Sequence, residues 1–352
     1  MTELDIRDIY RFESTVRSAE KIAIVTHTKP DGDAIGSSTA MYSFISSINP
    51  ECCIKIVVAD RWPRYLDFLV DGETENSTVI HSENPGYAER VILDCDVLIC
   101  LDFNAFHRTD KLEDVLKGAT AKKILIDHHL NPDRECFDII FSETEISSAS
   151  ELLYTILMQT KTISGNTGNL PQKAAISLMT GMTTDTNNFA NSTYPSTLIM
   201  ASELLAAGVD RDMIISKLYN QYRETRLRIM GHAMKDLMKI TPDGVAYIVL
   251  DAETLKEYEI EEGDTEGFVN MPLSLAEVRM SLLLKEEDNK IRVSIRSKKG
   301  TSANRCARLY FNGGGHENAA GGKLFKPSDV RHIGEAAEYI EYYTHKFLKD
   351  EE

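Results

Sequence analysis

The sequence predicts an α/β protein: an N-terminal domain built on a parallel sheet with helices on both faces, and a smaller C-terminal α/β domain. Three observations carry this. Continuous apolar runs at 22–25, 54–58, 97–101 and 124–126 alternate with helix-length segments, and strands apolar on both faces belong in a covered parallel sheet. A chain of 352 residues, 42% hydrophobic and 27% charged, is long enough and apolar enough for two packed domains. Beyond Gly244 the pattern changes to alternation, with Ile291, Val293 and Ile295 on one face of a strand and Arg292, Ser294 and Arg296 on the other.

Taken in order, residues 6–19 read as an amphipathic helix with Ile6, Ile9, Tyr10 and Val16 on one face. The strand at 22–25 breaks into Thr26-His27-Thr28-Lys29-Pro30-Asp31-Gly32-Asp33, and a helix follows over 34–47. Ser148 with Glu151 three residues later is a capping-box pattern, opening a helix through Leu152, Leu153, Ile156 and Leu157. Residues 165–171 read as a polar loop, and a helix starting over 172–180 runs into a hydroxyl-rich turn that holds Asp185. Helical patterns at 196–207 and 210–240 flank Gly208; 245–250 and 291–295 are strands, 313–322 is a glycine-rich block and 330–348 a final helix. Domains are expected at 1–207 and 241–352, joined by a helical connector at 208–240.

A formal net charge of −16 argues against a long nucleic acid held by its backbone, which needs clustered Lys and Arg. A small anionic substrate remains compatible, given local positive charge from bound cations or a few arginines. The six cysteines (Cys52, Cys53, Cys95, Cys100, Cys136, Cys306) show no CxxC spacing and several lie in apolar runs, so they read as reduced and structural. Met1-Thr2-Glu3-Leu4-Asp5 lacks the basic and apolar regions of a signal peptide, and no apolar run reaches membrane-spanning length. A cytoplasmic protein with no membrane partner is expected.

The residues that follow each strand carry the chemistry. His27, Asp31 and Asp33 follow the first run, Asp102 follows 97–101, and Asp127-His128-His129 follow 124–126. In an open parallel sheet all of these emerge at the carboxyl edge, where such folds bind ligands. On the first loop alone two readings stand level: a helix cap made by Asp31 or Asp33, or a set of metal ligands. Asp185, a turn residue if taken by itself, is a fourth candidate for the same rim. Together the four carboxylates Asp31, Asp33, Asp102 and Asp185 and the neutral nitrogens of His27 and His128 suit two divalent cations. Oxygen and imidazole donors without thiolate favour Mn²⁺ over structural Zn²⁺. Two such ions ~3.5–4 Å apart are a recurrent device for phosphate-ester hydrolysis, in which a bridging water is acidified and the phosphoryl oxygens are held. Neighbouring residues at a strand end point to opposite sides, so His128 and His129 are not expected on one ion; one would bind metal and the other face a phosphate. Asp127 would orient an imidazole from behind.

The ordered set His27-x-x-x-Asp31-x-Asp33, Asp102, Asp127-His128-His129, Asp185 and the block 313–322 resembles the DHH–DHHA1 phosphoesterase family, in particular its small nanoRNase and pAp phosphatase members, over nearly the whole chain. The resemblance implies a DHH domain followed by a DHHA1 domain, and two Mn²⁺ per chain with Mg²⁺ or Co²⁺ as substitutes. His27, Asp31 and Asp102 would hold one ion; Asp33, Asp102, His128 and Asp185 the other. His129 would lie beside the scissile phosphate, making His129, Asp102 and Asp127 the catalytic set. Arg292, Ser294, Arg296, Gly313, Gly314, Gly315 and His316 would hold the rest of the nucleotide. Glycines there allow close backbone approach and N–H donation to an anion, and alternating arginines offer bidentate contacts. Read without the family, the same segment is a flexible hairpin beside solvated arginines.

The implied activity is hydrolysis of short 5′-phosphorylated oligoribonucleotides (nanoRNA, pApA) to mononucleotides, with 3′-phosphatase action on pAp. A cyclic di-AMP phosphodiesterase would use the same residues. The glycine–histidine block disfavours the family's inorganic pyrophosphatases, and the acidic balance disfavours a RecJ-like exonuclease on long strands. A non-catalytic nucleotide sensor is the reading from another class, and every expected ligand position is filled. The sequence leaves room for a homodimer.

Overall fold

The computed structural model describes residues 4–261 and 263–351, so Met1, Thr2 and Glu3 of the N-terminal stretch lie outside the described residues. The chain divides into two compact units, Met1–Gln221 and Tyr222–Glu352.

In the first unit six strands, β1 (Lys21–Thr26), β2 (Cys53–Val58), β3 (Thr78–Ile80), β4 (Val97–Leu101), β5 (Lys122–Asp127) and β6 (Ile139–Ser142), form a sheet of order β3-β2-β1-β4-β5-β6. Every pairing is parallel. Its helices are α1 (Ile6–Ser18), α2 (Gly32–Ile48), α3 (Glu73–Ser77), α4 (Pro85–Leu93), α5 (Glu113–Gly118), α6 (Ala149–Met158), α7 (Gln172–Asp185), α8 (Pro195–Ala206) and α9 (Arg211–Tyr219). The continuous apolar runs are explained by two cores, one on each face. Ile22 and Ile24 of β1 join Ile56, Ile99 and Ile126 against α1, α2, α6 and α7. Ala23 and Val25, one residue out of step, join Val57, Leu98, Cys100 and Leu125 against α4 and α5. Each fully buried Ile, Leu or Val contributes about 1.5–3 kcal/mol, so this two-sided burial is what holds β1 at the centre of the sheet.

Several expectations move. Helix α2 begins at Gly32 rather than 34, because Asp31 caps it. Ser148 caps α6 through Glu151 N (3.0 Å), but the Glu151 carboxylate accepts from Ser147 N (3.1 Å) and Thr197 Oγ1 (2.6 Å), not from its own cap. Asp185 is the last residue of α7 and not part of a turn. Within 210–240 the helix is interrupted: Arg223 takes extended dihedrals and its guanidinium donates to Thr225 Oγ1 and the Glu259 carbonyl, so a new helix, α10 (Glu224–His232), starts there. The stretch ends in a π turn at Ala233–Leu237 and strand β7 (Lys239–Ile240). Ile214 and Leu218 of α9 belong to the first unit's core, and Ile229 and Ala233 to the second's.

The second unit carries β7, β8 (Val245–Leu250), β9 (Met280–Glu286), β10 (Lys290–Ser297), β11 (Gly314–Gly315) and β12 (Ala319–Phe325) in the order β11-β12-β10-β9-β8-β7. Only β8 and β9 run parallel. The alternation read in β10 is the observed one: Ile291, Val293 and Ile295 are buried against α12 (Ala303–Tyr310) and α13 (Ala336–Glu351), while Arg292, Ser294 and Arg296 lie half-buried on the other face. A short α11 (Ala252–Glu257) completes the unit. The last helix starts later than residue 330 because Asp329 folds back to accept from Phe325 N (2.8 Å) and Asn312 Nδ2 (3.0 Å), and a 3₁₀ turn at Ile333–Glu335 intervenes. Among the described residues no helix is long and apolar enough to cross a membrane.

Candidate metal centre

The strand order reverses direction between β1 and β4, and open parallel sheets bind ligands beyond the carboxyl ends at such a switch point. His27 stands one residue past β1, and Asp102 one past β4. Asp102 has φ +61, a left-handed conformation that costs a non-glycine residue about 1–2 kcal/mol. Its N–H bonds the Ile126 carbonyl (3.1 Å), which ties the turn to β5 and turns the carboxylate into the cluster.

There Asp102 sits between the histidines. Its Oδ2 is 3.4 Å from His27 Nε2; its Oδ1 is 3.4 Å from His128 Nε2 and 3.7 Å from His129 Nδ1. His27 Nδ1–H donates to the Thr28 carbonyl (2.8 Å), leaving Nε2 facing Asp102 and, at 3.8 Å, Asp31 Oδ1. The two readings of the first loop are both true of Asp31: its Oδ1 also accepts from Asp33 N and Ala34 N, each at 3.1 Å. Asp33 is held by the start of α6, whose first two amides donate to it from Ala149 (2.7 Å) and Ser150 (2.9 Å). From there its Oδ2 lies 3.9 Å from His128 Nε2, and Asp185 Oδ2 lies 3.7 Å from the same nitrogen. Gly181 of α7 makes this possible: a Cβ at that position would stand 2.9 Å from Asp33 Oδ1 and collide with Ser150 Oγ. The Asp33 and Asp102 side chains are 1% and 4% exposed, against 49% for Asp31 and 28% for Asp185, so the cluster opens to solvent on the side of the last two.

The expectation that His128 and His129 diverge is corrected. Strand β5 ends at Asp127, so strand alternation does not extend to them, and their rings meet edge to face at 4.9 Å beside the same Asp102 oxygen. What distinguishes the two rings is hydrogen bonding. The fully buried Asp127 accepts from His129 Nδ1 (2.7 Å) and from His129 N (3.1 Å), which fixes the orientation of that ring.

The donor atoms of His27, Asp31 and Asp102 all lie within 4.8 Å of one another, and so do those of Asp33, Asp102 and His128, with Asp102 common to both groups. Among the described residues, the buried Asp102 Oδ1 accepts no hydrogen bond. A buried carboxylate oxygen lacking a donor and facing imidazole nitrogens fits divalent cations, and the oxygen and nitrogen donor set, free of thiolate, fits Mn²⁺ or Mg²⁺ better than structural Zn²⁺. Without cations the charges compete. Burial would depress the His27 and His128 imidazoles, but the surrounding carboxylates outweigh it and raise them to about 9 and about 10. Burial and the charges of Asp102 and Asp185 push Asp33 well above the usual carboxylate range, whereas for Asp102 the imidazoles overcome burial and hold it well below.

One functional candidate escaped the sequence reading. Arg108, in the 3₁₀ turn Phe106–Leu112 after β4, is half-buried and its positive charge bears on His27. Among the described residues its guanidinium makes no hydrogen bond, so it is available to an anion at the rim. A lone arginine in a polar loop carries no sequence signal that separates it from a solvated one.

In the second unit Arg292, Ser294 and Arg296 face the same side of β10, opposite Lys323, Gly321 and Ala319 of β12. Arg296 Nη1 donates to the Ile295 carbonyl (3.0 Å). The glycines depart from expectation. Gly313 N donates to the Ala307 carbonyl (3.2 Å) and Gly315 N to Asn304 Oδ1 (3.0 Å), so these two amides are not open to an anion. Close approach is still why glycine is needed: a Cβ on Gly313 would run into the Gly321 carbonyl across the hairpin. Gly314 pairs with Gly321 in the ladder, and His316 stands half-buried at the hairpin turn.

Comparison with known proteins gives the family to which these two units belong. Residues 21–182 match the DHH family, N-terminal domain, and residues 242–342 match the DHHA1 domain. The chain is 28% identical over 325 residues to the bifunctional oligoribonuclease and PAP phosphatase NrnA of Bacillus subtilis, spanning 91% of this chain and 94% of that one. It is 31% identical to the NrnA of Thermus thermophilus, spanning 86% and 84%. The crystal structure of an exopolyphosphatase-related protein from Bacteroides fragilis superposes with a TM-score of 0.89 at 35% identity, over 100% of this chain and 99% of the other. A parallel-sheet domain whose strand ends converge on Asp102, followed by a mixed-sheet domain with a glycine-rich hairpin, matches those relatives along almost its whole length: the chain belongs to the DHH–DHHA1 family of NrnA-like phosphoesterases.

Proposed function

We propose that this protein is a Mn²⁺-dependent hydrolase of very short 5′-phosphorylated oligoribonucleotides, releasing mononucleotides, and that it also removes the 3′-phosphate of pAp. The names of its NrnA relatives describe both activities. The observation that carries the reading is the buried Asp102 carboxylate, shared by two groups of donors and, among the described residues, lacking a hydrogen bond on Oδ1.

In this reading His27, Asp31 and Asp102 hold one ion and Asp33, Asp102, His128 and Asp185 the other. Such a pair, when bound, supplies a water of lowered pKa and charge to stabilise the phosphoryl oxygens. The protein's own part is orientation. Thr28 and Asp127 fix the His27 and His129 rings through their Nδ1 atoms, and the α6 amides fix Asp33. His129 would lie beside the scissile phosphate, and Arg108 adds a cation at the same rim. In the second unit Arg292, Ser294, Arg296 and His316 would bind the remaining phosphate and base, with Gly313, Gly314 and Gly315 shaping the hairpin that carries His316. Among the described residues the cysteines form no disulfide, which suits a reducing cytoplasm.

The test is release of phosphate or nucleotide by the purified protein with Mn²⁺ from pApA, pAp, cyclic di-AMP and pyrophosphate. Hydrolysis of pApA and pAp is expected; cyclic di-AMP as the only substrate would favour the phosphodiesterase reading, and no hydrolysis of any would favour a nucleotide sensor.

A further inference from the structure

Strand β2 also ends at the carboxyl edge, and two residues beyond it stands Asp60, to which no role in the site has been given. We infer that Asp60 is a positioning residue for the His27 side of the metal centre, locking Thr28 so that its carbonyl orients the His27 imidazole. This rests on His27, Asp31 and Asp102 being metal ligands.

The argument starts from the loop itself. Between His27 and Asp31 the chain must reverse, and it does so with Lys29 at φ +51, which costs a non-glycine residue about 1–2 kcal/mol. Something outside the loop must offset that. Asp60 Oδ2 accepts from Thr28 Oγ1 (2.5 Å) and from Lys29 N (3.0 Å), while Thr28 N donates to the Arg108 carbonyl (3.0 Å). The Thr28 peptide is thereby gripped from both neighbouring strand ends, and its remaining polar group, the carbonyl, receives His27 Nδ1–H at 2.8 Å. The bland alternative is a carboxylate that closes its own turn, as Asp commonly does after a strand. Here both acceptor bonds reach residues 31 and 32 positions away, so the carboxylate serves the His27 loop. Hydrogen bonds to an ionised acceptor are the stronger kind, and the partner of a ligand imidazole's second nitrogen sets its aim.

The test measures Mn²⁺ binding directly, by the electron paramagnetic resonance signal of free Mn²⁺ during titration of metal-stripped protein. Wild type is expected to take up two ions. Asp60→Ala should weaken one of them by about tenfold or more, on the scale seen when such outer partners are lost, and leave the other within a factor of about three. Asp60→Asn keeps an oxygen acceptor and should recover most of the lost affinity. Unchanged binding in D60A, or D60N as weak as D60A, overturns the inference while the two-ion reading stands; wild type that binds fewer than two ions overturns both. Should D60A fail to fold by circular dichroism, Thr28→Val is read instead, with a weakening of about threefold or more expected and unchanged affinity overturning the inference.

Discussion

In the metal-free protein His27 and His128, raised to about 9 and about 10, are both charged at neutral pH. Since their folded values lie above the ordinary 6.5, the stability they contribute is fully present below about 6.5 and is lost as pH rises through 9 to 10. Asp33, raised by burial and by Asp102 and Asp185, acts in the same direction, because the folded site disfavours the charged form that rising pH imposes. Scanning calorimetry of metal-stripped protein should therefore show Tm falling as pH rises from about 6.5 to about 10, with a shallower fall in His128→Gln. Metal binding must expel those protons, so Mn²⁺ affinity should rise with pH over the same range, as a calorimetric titration in buffers of different ionisation enthalpy would show. Asp102 is the residue on which both donor groups depend. Asp102→Asn should lower kcat on pApA by about 10³-fold or more, on the scale of losing a preorganised charge partner from the reacting centre. Near wild-type turnover in that variant would remove the two-ion reading.

At the scale of elements, the decisive fact is how closely α2, α6 and α7 approach. Asp33 rides on the first turn of α2, its carboxylate is held by the first turn of α6, and α7 passes so near that only hydrogen fits at Gly181. Gly181→Ala must push α7 outward and carry Asp185, four residues on, with it. Overpacking of this kind costs about 1–3 kcal/mol, so a Tm drop of several degrees is expected together with weaker Mn²⁺ binding. A variant that loses stability but keeps wild-type Mn²⁺ affinity would show that Asp185 is dispensable to the site.

Across the whole molecule, the proposed function divides the work between the two units, with the donor cluster in the first and the β10 cations and glycine-rich hairpin in the second. If Arg296 and His316 hold the non-scissile end of the substrate, replacing either by Ala should lower kcat/KM for pApA by about tenfold or more and barely affect a phosphodiester that lacks the second phosphate. Equal losses on both substrates would make these residues structural. The commitment of Gly313 and Gly315 amides within the hairpin puts the weight of that recognition on side chains.

Much of this was legible in the sequence because the information is local. Two-sided apolar runs identify central parallel strands, and polar residues directly after such runs are carried to one edge whatever the loops do. That is why His27, Asp31, Asp33, Asp102, Asp127, His128 and His129 could be named before any coordinates. The short outer strands β3 and β6 lack that signature, since edge strands of three or four residues are too brief for a pattern. Other features depended on partners distant in the chain. The left-handed turn at Asp102 is tied to Ile126, Asp60 reaches back 31 and 32 residues to the His27 loop, and Asp185 arrives on the end of a helix whose approach is set by Gly181. The sequence by itself determined the fold class and the chemical character of the rim, because hydrophobic period and residue type act along the chain. Only the tertiary structure decided which oxygen faces which nitrogen, because that follows from hydrogen bonds and steric contacts between segments that meet only once the sheet has formed.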